Sequence, residues 1–422
     1  MATVLIELFG DVLLQFQEDD KKLVEVSTKQ LDGKIVALYF SSHRWPYCQE
    51  FTLKLAQVYR NVYNEINEKF EIIFISRDKC QTEFNESFKE MPWKAIPFQD
   101  GKRLETLYKN FKICGSPSLI ILSSSGEIIT SEGSLEFSIK SDSILFLWSQ
   151  GKSLFHSCQP QPNEFQWNHV HCDQCYMRPL VGIRYGCINR QCQFNFCKKC
   201  IDKIKHEHPL VEYLVPNRQY SMNEFFASVP YLLNSNKQEQ VKTEILWKDD
   251  VKAIGFYFLA YRYSFNCDLT QKLIQDYKAT QPTINPFPIV IISYDIDEQL
   301  PNKYWSNMPW FTIPSDYYRL FYAYFTPHEW PALIVMSIDG KVLTHFGHHY
   351  ILRQGSKAIQ CWSRGEKVAV STPDDYVWQN ISCNECNMIP IIGKRYHCSI
   401  CENYDLCFAC QLKGHEHLLE LM

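Results

Sequence analysis

The sequence predicts two α/β domains that alternate with two small, metal-stabilised modules. Three observations carry this expectation. Short apolar runs without polar alternation, at Ile35–Phe40, Glu71–Ser76 and Ser118–Leu122 and again at Ala253–Leu259, Ile289–Ser293 and Ala332–Met336, have the pattern of strands buried on both faces. Twelve of the 18 cysteines fall in two tight groups, Cys172–Cys200 and Cys383–Cys410, each followed by His-x-His. The halves also match each other. "IVALYFSSHRWPYCQEFT" (Ile35–Thr52) pairs with "AIGFYFLAYRYSFNCDLT" (Ala253–Thr270), "MPW" recurs at Met91 and Met308, and "SPSLIIL" pairs with "WPALIVM".

Composition sets the limits. The 422 residues are 45% hydrophobic and 14% aromatic, enough for sizeable cores and unlike a disordered chain. Lysine and arginine total 43 against 47 acids, leaving −4, so the basic footprint of phosphate-backbone binding is missing and no nucleic-acid partner is expected. The longest apolar runs are far short of the ~20 residues that span a membrane. The opening "MATVLIELFGD" has no basic region, and Glu7 and Asp11 interrupt it, so no secretory signal is expected. A soluble cytoplasmic protein follows, with thiols kept reduced, which favours metal over disulfides for the cysteine groups.

In chain order, the strand Ile35–Phe40 is followed by a helical stretch, Cys48–Asn67, with Phe51, Leu55, Val58, Val62 and Ile66 at helical spacing. The strands at Glu71–Ser76 and Ser118–Leu122 come next, then a hairpin over the glycine turn of "SSSGEII" and a closing helix at Ser141–Gln150. The second half repeats this order, with the hairpin "SIDGKVL" and a closing helix at Leu352–Arg364. Ser157–Asn168 and Ser371–Asn380 are short, polar, Pro-bearing linkers that tether closely. Within them Phe165 with Trp167, and Tyr376 with Trp378, are expected to pack on the following module or a neighbouring domain. Asn234–Gln240 is a polar surface loop.

Residues 1–150, through "VALYFSSHRWPYCQEFT", "FEIIFISRDKC" and "MPWKAIPF", resemble nucleoredoxin and the tryparedoxin-like proteins. Residues 220–365 resemble a more divergent copy that keeps "FYF", "MPWFTIP" and the strand after Pro331. The resemblance implies a thioredoxin-like fold, with Pro117 and Pro331 where that fold often places a cis-proline. It also implies dithiol chemistry by a W-C-P-x-C motif at a helix N-terminus. There the helix dipole lowers the pKa of the attacking cysteine, and a second cysteine three residues on resolves the mixed disulfide. The aligned residues here are Arg44-Trp45-Pro46-Tyr47-Cys48. An indole stands at the attacking position and cannot become a thiolate. In the second copy the positions are Tyr263 and Asn266, with Cys267 one residue off register. No catalytic residue is therefore expected, and Cys48 is the residual candidate. Cys48 could form mixed disulfides or pair with Cys114; alternatively both are small hydrophobes. Cys80, Cys158, Cys267 and Cys361 pose the same choice. His345, His348 and His349 could bind metal or lie in a solvated loop, and His328 stands apart.

The cysteine groups carry the strongest chemistry. The first gives Cys172-x2-Cys175, x11, Cys187-x4-Cys192, x4, Cys197-x2-Cys200, x5, His206-x-His208. The second gives Cys383-x2-Cys386, x11, Cys398-x2-Cys401, x5, Cys407-x2-Cys410, x4, His415-x-His417. A Cys-x2-Cys knuckle offers two thiolates from one tight turn. Eight ligands per module make two tetrahedral sites, so the expected cofactor is Zn2+ at four ions per chain.

Both modules resemble ZZ-type zinc fingers, the second almost position by position through "GKRYHC" and "YDLC". The resemblance implies interleaved sites: Cys172, Cys175, Cys197, Cys200 with Cys187, Cys192, His206, His208, and Cys383, Cys386, Cys407, Cys410 with Cys398, Cys401, His415, His417. Units this short need the metal to fold. It further implies contact with protein segments, often a free N-terminus held by acids. Each finger has one such acid, Asp173 beside Asn195 or Asp405 beside Asn384 and Asn403, which weakens capture of an ammonium group.

The expected domains are thioredoxin-like at 1–156 and 220–366 and ZZ-type at 165–214 and 376–422. The expected function is a zinc-binding, non-catalytic protein-interaction scaffold built on redox-inactive folds. The alternative is a single-cysteine or weak thiol-disulfide oxidoreductase of the nucleoredoxin type using Cys48. The sequence does not name the protein partner; a cytoskeletal or ciliary assembly is one open setting.

Overall fold

The computed structural model describes residues 2–17, 22–189, 191–234, 239–259, 268–280, 284–293, 308–327, 330–369, 376–385, 389–401, 403–408 and 410–422. Tyr263, Asn266, Cys267, His328 and Cys386 lie outside these residues, as do parts of the linker at 371–375 and of the loop at 235–238. The chain packs as two compact units. One is residues 1–159 with 168–171 and 175–179; the other is 160–167, 172–174 and 180–422.

The first unit is organised by two apolar strands, β3 (Ile35–Ser41) and β4 (Phe70–Ser76), paired in parallel. Around them lie α1 (Ala2–Phe9), β1 (Val12–Gln17), β2 (Lys22–Ser27), α2 (Pro46–Ile66), α3 (Gln81–Phe88), β5 (Lys94–Ala95), α4 (Gly101–Asn110), β6 (Ser118–Leu122), β7 (Ile128–Thr130) and α5 (Gly133–Ser149). The sheet order is β2-β1-β5-β4-β3-β6-β7. Successive side chains of a strand face opposite ways, which explains the unbroken apolar runs. Ala37, Tyr39, Ile72 and Phe74 pack under α2, α3 and α5 against Leu55, Tyr59, Phe84 and Trp148. Val36, Leu38, Phe40, Ile73 and Ile75 pack on the other face against Leu5, Phe9, Leu104 and Leu107.

Helix α2 starts two residues earlier than its apolar periodicity suggests, because Pro46 at its first turn presets a helical φ and Trp45 is the extended N-cap. The closing helix starts eight residues earlier than expected. Its first turn opens on Gly133, where a Cβ would lie 2.8 Å from the Leu119 carbonyl oxygen, and Lys140 breaks the helical dihedrals midway. The expectation covers only the half beyond that kink. Glu136, in the first turn of α5, is wholly buried, and its carboxylate accepts from Thr130 Oγ1 at 2.8 Å, Trp148 Nε1 at 2.8 Å, Ser153 Oγ at 2.7 Å and the Leu154 N–H at 3.1 Å. The Ser116–Pro117 and Trp330–Pro331 peptides are cis.

The second unit opens with a short hairpin, β8 (Gln166–Trp167) with β9 (Leu180–Val181), and a three-stranded sheet of β10 (Arg184–Cys187), β11 (Asn195–Cys197) and β12 (Leu210–Glu212), with α6 (Lys198–Ile201) after β11. There follow α7 (Met222–Phe225), β13 (Leu232–Leu233), β14 (Gln240–Val241), β15 (Ala253–Leu259), α8 (Asp268–Thr280), β16 (Ile289–Ser293), β17 (Phe311–Thr312), α9 (Tyr318–Phe325), β18 (Ala332–Ser337), β19 (Val342–Thr344), α10 (Gly347–Gln354) and α11 (Ser356–Ser363). Their sheet runs β14-β13-β17-β16-β15-β18-β19, the same order as in the first unit. The single closing helix expected at Leu352–Arg364 is two helices, broken at Gly355 with φ 56°. One face of this sheet packs Tyr257, Ile291 and Leu333 on Leu273, Ile351 and Trp362.

The chain ends with the hairpin β20 (Val377–Trp378) with β21 (Ile391–Ile392) and the sheet β23 (Asp405–Cys407), β22 (Arg395–Cys398), β24 (Leu419–Leu421). No helix among the described residues is long and apolar enough to cross a membrane.

Candidate metal centres and thiol site

In the last module the turn after β22 and the chain before β24 bring Cys398, Cys401, His415 and His417 together, all donor atoms within 4.8 Å of one another. Cys401 Sγ lies 3.4 Å from His415 Nε2 and 3.3 Å from His417 Nδ1, and Cys398 Sγ lies 3.8 Å from His417 Nδ1. Zn–S bonds of ~2.3 Å and Zn–N bonds of ~2.0 Å put S and N about 3.5 Å apart on a tetrahedron, so the spacing suits that ion. The Cys401 N–H donates to Cys398 Sγ at 3.3 Å, the knuckle bond that orients the first sulfur. His415 is held face to face by Tyr404, ring centroids 4.0 Å apart. Cys383, Cys407 and Cys410 form a second group, again within 4.8 Å. The fourth ligand expected there, Cys386, is not among the described residues.

In the earlier module the groups are Cys172, Cys175, Cys197, Cys200 and Cys187, Cys192, His206, His208. The x4 spacing between Cys187 and Cys192 still brings Cys192 Sγ to 3.3 Å from His206 Nε2. Burial, with Cys192 beside it, pushes the Cys187 thiol up to about 11. His208 Nδ1 is buried with no hydrogen-bond partner among the described residues. Two thiols and two imidazoles converging within 4.8 Å, with a buried His208 Nδ1 that makes no hydrogen bond, fit a bound cation. In the last module the ion would tie together a small core: three of its five buried residues, Cys383, Cys407 and Cys410, are candidate ligands, with Ile391 and Leu406 beside them and Trp378, Ile381, Tyr396, Tyr404 and Leu419 packed around.

Each module carries a matching support. Trp167 Nε1 donates to the Gly182 carbonyl at 3.0 Å and Trp378 Nε1 to the Gly393 carbonyl at 2.8 Å. Phe165 and Tyr376 stack edge-on against these indoles, so both aromatic pairs pack inside their own module. An arginine lies over each indole at 5.0 Å, Arg184 and Arg395. Arg184 donates to Asn195 at 2.8 Å, whereas Arg395 donates to the buried Asp405 carboxylate at 2.7 Å, which also meets His397 Nδ1 at 2.9 Å. The acid expected to attract an ammonium group in the second module is thus engaged by its own chain.

At the N-terminus of α2, Trp45 is 55% exposed while Cys48 is 1% exposed. The preceding loop is fixed by Asp78, a residue that no sequence motif singles out. Its carboxylate accepts from Ser42 Oγ at 2.9 Å, the His43 N–H at 2.7 Å, Ser76 Oγ at 2.7 Å and Ser87 Oγ at 3.2 Å. Cys114 is exposed, with its Sγ 3.4 Å from the Lys112 carbonyl. Cys80 is exposed, and Cys158 and Cys361 are half-buried.

The expected solvated loop at the histidines is corrected. His348 and His349 sit in α10, and His348 is buried, its Nδ1 accepting the Leu333 N–H at 3.3 Å. That pairing with β18 explains why an imidazole lies inside. Among the described residues they join no group of three or more potential metal ligands.

Known proteins match parts of the chain. The thioredoxin-like family matches residues 33–128, and the family "Zinc finger, ZZ type" matches residues 378–419. "Probable nucleoredoxin 2" of Oryza sativa subsp. japonica is 27% identical over 330 residues, covering 78% of this chain and 69% of that protein. The nucleoredoxin of Danio rerio is 41% identical over 118 residues, 28% of each chain. Among solved structures, tryparedoxin I of Crithidia fasciculata is 30% identical and covers 31% of this chain and 87% of its own, with a TM-score of 0.29. The ZZ finger implies Zn2+ binding, and the clusters above can hold metal. The chain therefore carries a thioredoxin-like domain at residues 33–128 and a ZZ-type zinc finger at residues 378–419, with nucleoredoxins among its homologues.

Proposed function

We propose that this chain is a zinc-bearing protein-interaction scaffold in which two thioredoxin-like domains, 1–156 and 220–366, alternate with two ZZ-type fingers, 165–214 and 376–422. One observation supports the non-catalytic part above all: an indole caps α2 where the attacking sulfur would stand, and the remaining sulfur, Cys48, is buried. The repeat is supported by the matching segments in sequence and the shared strand order of the two sheets. On this reading the sixteen cysteines and histidines named above hold four zinc ions, the partners are proteins, and the setting is the cytoplasm.

The nucleoredoxin homologues support a second reading, a single-cysteine or weak oxidoreductase acting through Cys48. Insulin reduction by dithiothreitol separates the two. The scaffold reading expects no acceleration by the full chain and no change in Cys48→Ser; turnover that disappears in Cys48→Ser overturns it. Elemental analysis should find four zinc ions per chain, and fewer than two would sink the two-finger assignment.

A further inference from the structure

The earlier module departs from the later one in its second knuckle, Cys187-x4-Cys192 against Cys398-x2-Cys401. The short knuckle braces itself, since the Cys401 N–H donates to Cys398 Sγ at 3.3 Å. In the long knuckle the Cys192 N–H turns instead to Asn189, meeting its carbonyl at 3.2 Å and its side-chain oxygen at 3.4 Å. A longer loop without that brace costs more entropy to hold in one ligating geometry.

A brace comes from the second α/β domain. Arg319, in the first turn of α9, donates from Nη1 to the Cys192 carbonyl at 3.0 Å, although 127 residues separate the two in sequence. Its positive charge also reaches the Cys187 sulfur. The same helix holds the chain that leaves the module. Tyr324 OH donates to the Arg218 carbonyl at 2.8 Å, and the ring of Tyr324 packs edge-on against Tyr220, whose hydroxyl accepts the Val215 N–H at 2.9 Å. Helix α9 thus grips the earlier module at two points, and one of them is the backbone of a candidate zinc ligand. Among the described residues, the hydrogen bonds of Cys401 stay within its own module.

We propose that Arg319 is a positioning residue for the zinc ion of Cys187, Cys192, His206 and His208, reached by the longer knuckle, so that this ion and helix α9 stabilise each other. A guanidinium that fixes the Cys192 carbonyl also fixes the backbone from which Cys192 Sγ projects. Outer contacts that orient a ligand contribute about ten- to a hundredfold in metal affinity. Coupling between two sites is reciprocal, so the ion tightens α9 by the factor with which α9 tightens the ion. Zinc occupancy of the earlier module is thereby felt in the second α/β domain. The inference rests on the proposed zinc sites of that module.

The test uses the full-length, zinc-loaded chain with its histidine ring nitrogens isotope-labelled for NMR, titrated with a competing zinc chelator. His206→Ala and His417→Ala assign the two metal-bound resonances. Arg319→Met should lose the metal-bound His206 signal at about tenfold less chelator than the parent, while the His417 signal responds as before. Arg319→Lys, which keeps the charge, should recover part of the loss. From the other side, His206→Ala should speed hydrogen exchange across Tyr318–Phe325, and Arg319→Met should speed it less in that background than in the parent. Faster exchange in Arg319→Met with an unchanged His206 titration makes the arginine a residue of its own domain only and overturns the proposal. Equal losses at His206 and His417 overturn it too. If Arg319→Met does not fold, His206→Ala decides, and unchanged exchange across Tyr318–Phe325 overturns the coupling. A parent chain without a metal-bound His206 signal sinks the zinc reading of the earlier module together with the proposal, whereas a bound ion indifferent to Arg319 sinks the proposal alone.

Discussion

The Lys94 ammonium and the Glu71 carboxylate form an ion pair between β5 and β4 with both side chains less than a tenth exposed. Glu71 also accepts from Tyr59 OH at 2.8 Å and from the Ile72 N–H at 3.1 Å. Removing one partner of such a pair leaves a buried charge alone, which costs roughly 3–5 kcal/mol. Lys94→Met should lower the urea stability of the first domain by about that much, and Lys94→Met with Glu71→Leu should lose distinctly less. Equal loss in the single and double variants would show that the pair contributes nothing beyond packing.

Asp78 makes a different prediction, because its donors come from the loop that leads into α2. Asp78→Ala strands Ser42 Oγ and the His43 N–H, at roughly 1–3 kcal/mol for each buried group left unpaired. The same change should free the first turn of α2, so Cys48 should react faster with a thiol reagent. Unchanged labelling with lowered stability would separate the loop from the turn.

Alkaline pH should unfold the protein through its buried phenols. Burial pushes Tyr277 up to about 12 from 10.0, and raises Tyr39, Tyr59 and Tyr108 above the ordinary tyrosine range. Below pH 10 both states keep these protons, so stability is intact. Between pH 10 and about 12 the unfolded chain ionises while Tyr277 stays neutral, so stability falls as pH rises, each tenfold drop in proton activity removing about 1.4 kcal/mol. Urea midpoints across that window check the direction; Tyr277→Phe should flatten the fall.

Metal removal should act on the small modules first. Three of the five buried core residues of the last module are candidate ligands, so chelation should abolish its ordered amide signals while the sheet built on β3 and β4 keeps its protection in hydrogen exchange. His417→Ala should release one ion per chain and leave the remaining zinc bound, as read by elemental analysis.

The strands, the helix α2 and the ligand spacing were legible because each is a periodic or short-range signal. Val36 to Phe40 are apolar at every position since both faces of β3 are covered, and a Cys-x2-Cys knuckle is local by nature. Glu71, Asp78 and Glu136 were not legible. Each is an ordinary acid in sequence, and its burial depends on donors 12 to 36 residues away, such as Tyr59, Ser42 and Trp148. The helix break at Gly355 and the early start at Gly133 have a related reason: Gly355 adopts a positive φ and Gly133 faces the Leu119 backbone, neither of which periodicity senses.

Glu136 also defines where the first domain can be cut. Two of its four donors, Ser153 Oγ and the Leu154 N–H, lie beyond the end of α5 at Ser149. A fragment trimmed at the helix terminus would keep the acid and discard half of what neutralises it. The excised piece would then shed its final helix, while one extended through Leu154 would hold its shape.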